Sequence, residues 1–261
     1  MNEINKTLFI PLYGKALVSK QNIILKDPTA EKIWKKEGFV LQGKAKSKWL
    51  AYNMAMRARV FDDWTDLMLE NNIDALILHI GGGLDSRYKR IKHTFRLWID
   101  CDLPDVISVR RKYYEETESY YMKELDAANS SQIKALPDGK TVIVVLEGIS
   151  MYLSNEQLYE FFKSLQDKYE TIYILMDVYT RFGAKASKYK NPVNDVGVTK
   201  LYGIDDMEDF IRDLRIGLKK EHSFTPKELV DELKAFDKKF FKMMFTGHIY
   251  GKIYRLYELG S

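Results

Sequence analysis

Apolar positions along the chain fall into two rhythms. Short runs of strand length and composition occur at 75–80 (ALILHI), 95–100, 119–125, 141–147, 171–177, 215–224 and 251–259. Between them a helical spacing appears: Leu50, Met54, Ala58, Phe61, Leu67 and Met68 stripe residues 47–70. Further helices are predicted at 103–116, with Pro104 in the first turn, at 154–169, with Ser154 as N-cap, and at 205–214 and 226–245. Asp27 before Pro28 starts a short helix. The rest of residues 1–47, with Pro11 and Gly14, reads as irregular, and 38–46 as loop. Residues 180–197 hold Gly, Pro and Asn without periodicity and read as a long loop, of the kind that often forms lids.

Strands alternate with helices to about residue 214, which predicts an α/β fold with a doubly wound sheet. The last strand follows a long connection and is expected to insert antiparallel. The N-terminal 47 residues read as a lid on a single domain spanning 48–261.

The chemistry concentrates where ALILHI breaks into GGGLDSR, residues 81–87. Glycines at a strand tip let the backbone turn tightly and offer bare N–H groups to a polar guest. The next strands end near Asp100 and Asp102 and at Glu147, so three carboxylates are expected along one sheet edge, where ligands of such folds bind. A dinucleotide fingerprint needs a third glycine, and that position is Ser86. S-adenosylmethionine suits the pattern better: its amino-acid end needs backbone and charged partners, its ribose diol favours a carboxylate, and its sulfonium is positive. A purely structural turn is the competing reading.

Bulk numbers remove some classes. The 261 residues, 46% apolar, suffice for a sizeable core, and 41 basic against 37 acidic residues is too small an excess for a nucleic-acid footprint. The basic pairs, Arg110–Arg111 among them, read as solvated helix faces. Cys101 is the sole cysteine, the histidines lack ligand spacing, and no metal site is expected. No apolar run reaches the ~18–20 residues of a membrane span, and no signal-peptide core is seen, so a cytoplasmic protein is expected.

LHIGGGLDSRYKRI, WIDCDLPDVI and VVLEGISMYLSNEQLYEFF, in that order, closely resemble the leucine carboxyl methyltransferase superfamily. The likeness is strongest to its bacterial branch related to tetracenomycin polyketide O-methyltransferases. LFIPLYGKALVSKQNIILKDPTA and MRARVFDDW match that branch's N-terminal pattern, so the resemblance spans about Thr7 to Phe162. It implies a Rossmann-like, seven-stranded class I methyltransferase sheet with an antiparallel last strand, an N-terminal helical lid, and S-adenosylmethionine as methyl donor. It assigns Gly81 to the methionine part of the donor and Gly83 to keeping the turn open. Asp102, with help from Asp100, would take the ribose; Asp126 and Ala127 the adenine edge; Glu147 the amino end. Arg57 resembles the partner of the donor carboxylate, and Lys15 a second basic residue from the lid.

Each assignment has a plainer rival. Asp102 can N-cap the next helix, Asp100 can be a solvated strand end, Arg57 a surface ion pair, and Lys15 a solvated lysine. His79, inside a strand, reads as a packed core histidine. Tyr152 is expected to line the methyl-transfer pocket, and Tyr13, Tyr179 and Arg181 to shape the acceptor side, with Tyr152 and Arg181 as the catalytic candidates. With no histidine placed as a base, the acceptor is expected to be a carboxylate or an acidic enol or phenol of a small, polyketide-like molecule. A dinucleotide-dependent oxidoreductase and a non-catalytic donor-binding protein are the alternatives.

Overall fold

The computed structural model describes residues 4–38, 41, 43–190, 200–246 and 248–261. Three helices come first: α1 (Ile4–Lys20), α2 (Pro28–Glu37) and α3 (Lys48–Asn71). Then follow β1 (Leu76–Ile80), β2 (Leu97–Asp102), α4 (Pro104–Arg110), β3 (Tyr120–Glu124), β4 (Thr141–Leu146), α5 (Asn155–Lys168), β5 (Thr171–Tyr179) and α6 (Arg181–Lys190). The chain closes with α7 (Met207–Ile211), β6 (Gly217–His222), α8 (Lys227–Asp231), α9 (Ala235–Phe245), α10 (His248–Gly251) and β7 (Tyr254–Gly260).

The strands form one seven-stranded sheet in the order β3-β2-β1-β4-β5-β7-β6. The pairs among β1 to β5 are parallel, and β7 runs antiparallel to both β5 and β6. The strand order reverses between β1 and β4, and such a switch point opens a crevice at the C-terminal ends of the strands. Alternate residues feed opposite layers. Leu76, Leu78 and Ile80 of β1 pack with Phe161, Phe162 and Leu165 of α5, whereas Ile77 packs with the layer that holds α1, α2 and α3.

Three expectations change. Residues 4–20 form a helix despite Pro11 and Gly14. Phe9, Leu12 and Ala16 bury an apolar face, and Gly14 is the close-approach point to α3: a Cβ there would stand 3.2 Å from the Ala51 carbonyl oxygen. Residues 181–190 are likewise helical, with Thr180 Oγ1 accepting from Gly183 N at 2.9 Å as a cap. Gly183 is again a contact residue, since an added Cβ would lie 2.1 Å from Ile253 O. Residues 191–197 of that expected loop lie outside the described residues. The single helix expected at 226–245 is two, α8 and α9, because Lys234 is extended between them and the break buries Leu233. Among the described residues, no helix is long and apolar enough to cross a membrane.

Candidate active site

The turn after β1 is built for close approach. Gly81 has φ +70° and Gly83 φ +52°, a backbone region that side-chain-bearing residues avoid. A Cβ on Gly81 would meet Ile149 Cδ1 at 2.6 Å. The N–H groups, however, are not bare. Gly81 and Gly82 donate to the Cys101 carbonyl at 2.7 and 3.2 Å, and Gly83 donates to Asp102 Oδ2 at 2.7 Å. Of the glycine carbonyls, Gly82 O accepts from Asp85 N and Gly83 O from Arg110, so Gly81 O is the one the turn leaves for a ligand, and a carbonyl oxygen suits a cation.

Arg110 holds this turn from beneath. Its guanidinium donates to the carbonyls of Gly83 (2.8 Å) and Asp85 (2.7 Å) and pairs with Asp100. It is wholly buried, not on a solvated helix face as its sequence neighbourhood suggests. Asp100 also departs from expectation. It lies two residues before the tip of β2, buried, and accepts from His79 Nδ1 (2.7 Å), Trp98 Nε1 (3.0 Å) and Arg110. Burial would raise this carboxyl, but Arg110 and its donors lower it, so it is an anion spent on the turn's foundation. A carboxylate partner makes His79 Nδ1 the protonated nitrogen, and Nε2 then accepts from Arg87 Nη1 at 3.2 Å. The core reading of His79 holds, with both ring nitrogens engaged.

Every other residue expected to hold the donor lines one cavity of about 730 Å³ at the switch point, and Tyr152 lines it too. Asp102 stands at the tip of β2, accepting from Gly83 N and from Leu103 N at 2.8 Å, with burial raising its carboxyl. Asp126 and Ala127 follow β3, where Asp126 Oδ1 accepts from Ala128 N at 2.9 Å. Arg57 reaches up from α3, not as a surface pair but 8% exposed, with Nε on Glu147 Oε1 (2.9 Å) and Nη1 on Asp177 Oδ2 (2.9 Å) and Tyr254 Oη (2.8 Å). Glu147 follows β4 and also pairs with Arg87. Burial pushes its carboxyl up, yet Arg87, Arg57 and Lys15 outweigh that and bring it to about 2. Lys15 of α1 is buried, 3.1 Å from Asp85 Oδ2. Burial raises Asp85 in turn, but Arg90, Lys15 and Arg87 hold it well below the usual carboxylate range.

Sequence reasoning missed Arg87, Arg110, Asp85 and Asp177. Three of the four carry one visible mark, adjacency: Asp85 and Arg87 stand in GGGLDSR, and Asp177 lies two residues before the end of β5. Arg181 departs from expectation as well. It opens α6, does not line the cavity, and its largely exposed side chain faces Asp205 at 3.8 Å. Tyr179 lines the cavity, whereas Tyr13 lies outside it, tilted against Trp34. Away from the charged cluster the walls turn apolar and aromatic, with Leu50, Met54, Phe245, Tyr250, Ile253 and Tyr254. Among the described residues no group of three His, Cys, Asp or Glu side chains could hold a metal ion.

Sheet order, inverted last strand and switch-point crevice define a class: the class I S-adenosylmethionine-dependent methyltransferase fold. Solved structures sharing it include magnesium protoporphyrin IX methyltransferase (ChlM) from Synechocystis with bound S-adenosylmethionine, at TM-score 0.52 and 10% identity over 95% of this chain and 96% of that one. An S-adenosylmethionine-dependent methyltransferase from Mesorhizobium loti matches at TM-score 0.52 and 10% identity, over 77% and 98%. These likenesses speak to fold alone.

The chain belongs to the leucine carboxyl methyltransferase family, whose model matches residues 2–166. It is similar to the tetracenomycin polyketide synthesis O-methyltransferase TcmP of Streptomyces glaucescens, 28% identical over 203 residues covering 77% of this chain and 75% of that one. The S-adenosyl-L-methionine-dependent methyltransferase dpfgK of Gibberella zeae is 25% identical over 226 residues, with coverages of 77% and 75%.

Proposed function

We propose that this methyltransferase-family protein transfers a methyl group from S-adenosylmethionine to a carboxylate or to an acidic phenolic or enolic oxygen of a small, polyketide-like acceptor. One observation carries the reading: a glycine turn whose Gly81 carbonyl is left unengaged, a row of acids and an apolar pocket share one cavity. Its charged lining comprises Lys15 and Arg57 against Asp85, Asp102, Asp126 and Glu147, a net negative wall suited to a sulfonium and an ammonium. The pyrophosphate of a dinucleotide would need the glycine N–H groups free, and those of Gly81, Gly82 and Gly83 are spent on Cys101 and Asp102. The naming of TcmP and dpfgK as methyltransferases, TcmP in polyketide synthesis, supports the acceptor class.

In this reading Asp102 takes the ribose hydroxyls, Asp126 and Ala127 the adenine edge, and Gly81 O with Glu147 the amino end, while Arg57 and Lys15 set the charge around the amino-acid part. The donor supplies an electrophilic methyl: an acceptor oxygen lone pair forms the new C–O bond as the C–S pair leaves with sulfur. The protein's share is alignment and exclusion of water, the contributions that dominate an in-line displacement between two bound partners. No proton need be removed from a carboxylate, which fits a site where His79, the one lining histidine among the described residues, has both nitrogens engaged. A cytoplasmic setting matches the single buried, free Cys101.

Calorimetry with S-adenosylhomocysteine and with NADH, followed by a radiolabelled-methyl screen of aromatic carboxylic acids and phenols, tests the proposal. Binding of S-adenosylhomocysteine alone, with label passing to an acid or phenol, is expected. Heat from NADH alone would overturn it, and donor binding with label transferred to no acceptor would instead favour a non-catalytic binder.

A further inference from the structure

Asn53 sits one helical turn before Arg57 on α3, and Leu50, Asn53, Met54 and Arg57 all line the cavity. Asn53 is 6% exposed, and its Oδ1 accepts from the Tyr250 hydroxyl at 3.0 Å. Burial pushes the Tyr250 phenol up, so the hydroxyl keeps the proton it donates. Nδ2 is buried and has no hydrogen-bond partner among the described residues. An amide N–H withdrawn from water without a partner is destabilising, and native structures rarely keep one without a reason. The other such donor, Trp64 Nε1, does not line the cavity, so Asn53 is the one of the two that belongs to a residue bordering the space a ligand would enter.

The walls around Asn53 specify the rest. Leu50, Met54, Phe245 and Ile253 offer no polar side-chain atom that donates, and the hydroxyls of Tyr250 and Tyr254 are turned to Asn53 and to Asp177. We propose that Asn53 is a specificity-determining residue of the acceptor pocket: its Nδ2 donates to a carbonyl or carboxylate oxygen carried by an otherwise apolar ring system, and Tyr250 is the positioning residue that holds the amide the right way round. The inference rests on the cavity being the acceptor site proposed above. It selects, among acidic oxygen nucleophiles, those bearing a carbonyl-type oxygen on the face that meets α3.

The test uses two neutral probes of like shape, 2-acetylnaphthalene and 2-ethylnaphthalene, titrated into protein saturated with S-adenosylhomocysteine. Wild type should favour the acetyl compound about five- to tenfold, the range of one hydrogen bond gained. Asn53→Leu and Asn53→Asp, which remove the donor, should abolish that preference while S-adenosylhomocysteine affinity stays within twofold. Equal affinity for both probes in wild type, no binding of either at millimolar concentration, or a preference surviving in both variants would overturn the inference. If both variants misfold, Tyr250→Phe decides: the preference should fall at least twofold, and an unchanged preference counts against it. Failure of S-adenosylhomocysteine to bind wild type would strike the donor-site reading itself, and would show in a separate titration without the naphthyl probes.

Discussion

Replacing Glu147 by Gln should destabilise the protein in a pH-dependent way. Glu147 is 7% exposed at its side chain and lies between Arg57 and Arg87, with the Arg57 contact at 2.9 Å. Its carboxyl moves from an ordinary 4.5 to about 2 on folding. At about 1.4 kcal/mol per pH unit this difference corresponds to about 3 kcal/mol of stability at neutral pH. Mutational experience with severed buried ion pairs, ~3–5 kcal/mol, points to the same size, and the cavity beside Glu147 admits water that should keep the loss at the lower end. The folded-state value is depressed, so the stabilisation is complete above pH 4.5 and fades as pH falls toward 2. Urea unfolding of wild type and Glu147→Gln, followed by tryptophan fluorescence and circular dichroism, should therefore differ by about 3 kcal/mol at pH 7, with roughly two-fifths of the gap gone by pH 3.5. A gap under about 1 kcal/mol at pH 7, or one that does not change with pH, would refute the view that these two guanidinium groups hold a buried carboxylate.

Arg110→Met leaves Asp100 buried beside His79 and Trp98 without its cation, and should cost about 3–5 kcal/mol in urea unfolding. Gly81→Ala forces a methyl toward Ile149 at φ +70°, and should cost about 1–2 kcal/mol of stability for the left-handed backbone alone. The same change should weaken S-adenosylhomocysteine at least tenfold by calorimetry, since the turn would close on the donor site. Arg181→Ala, whose side chain lies at the surface against Asp205, should leave stability within about 0.5 kcal/mol of wild type and methyl transfer unaltered. A large loss of transfer in that variant would return Arg181 to the site.

The order of elements, the parallel sheet with its inverted last strand, and the glycine turn were legible in the chain because each rests on local signals: apolar period, strand-end glycines, N-caps such as Ser154. The family motifs located the cavity lining for the same reason, since Gly81, Asp102 and Glu147 sit at strand tips that the sequence marks directly. Tertiary packing decided the rest. Gly14 and Gly183 look like helix breakers until the backbones of Ala51 and Ile253 are seen pressed against them. Asp100 and Asp102 are two residues apart and chemically alike, yet one is buried beneath the turn while the other meets the cavity. Which arginine is buried with carboxylates, as Arg57, Arg87 and Arg110 are, and which stays in water, as Arg181 does, depends on groups distant in sequence. A charged side chain leaves water only where the fold assembles its counter-charge, and no local pattern records that assembly.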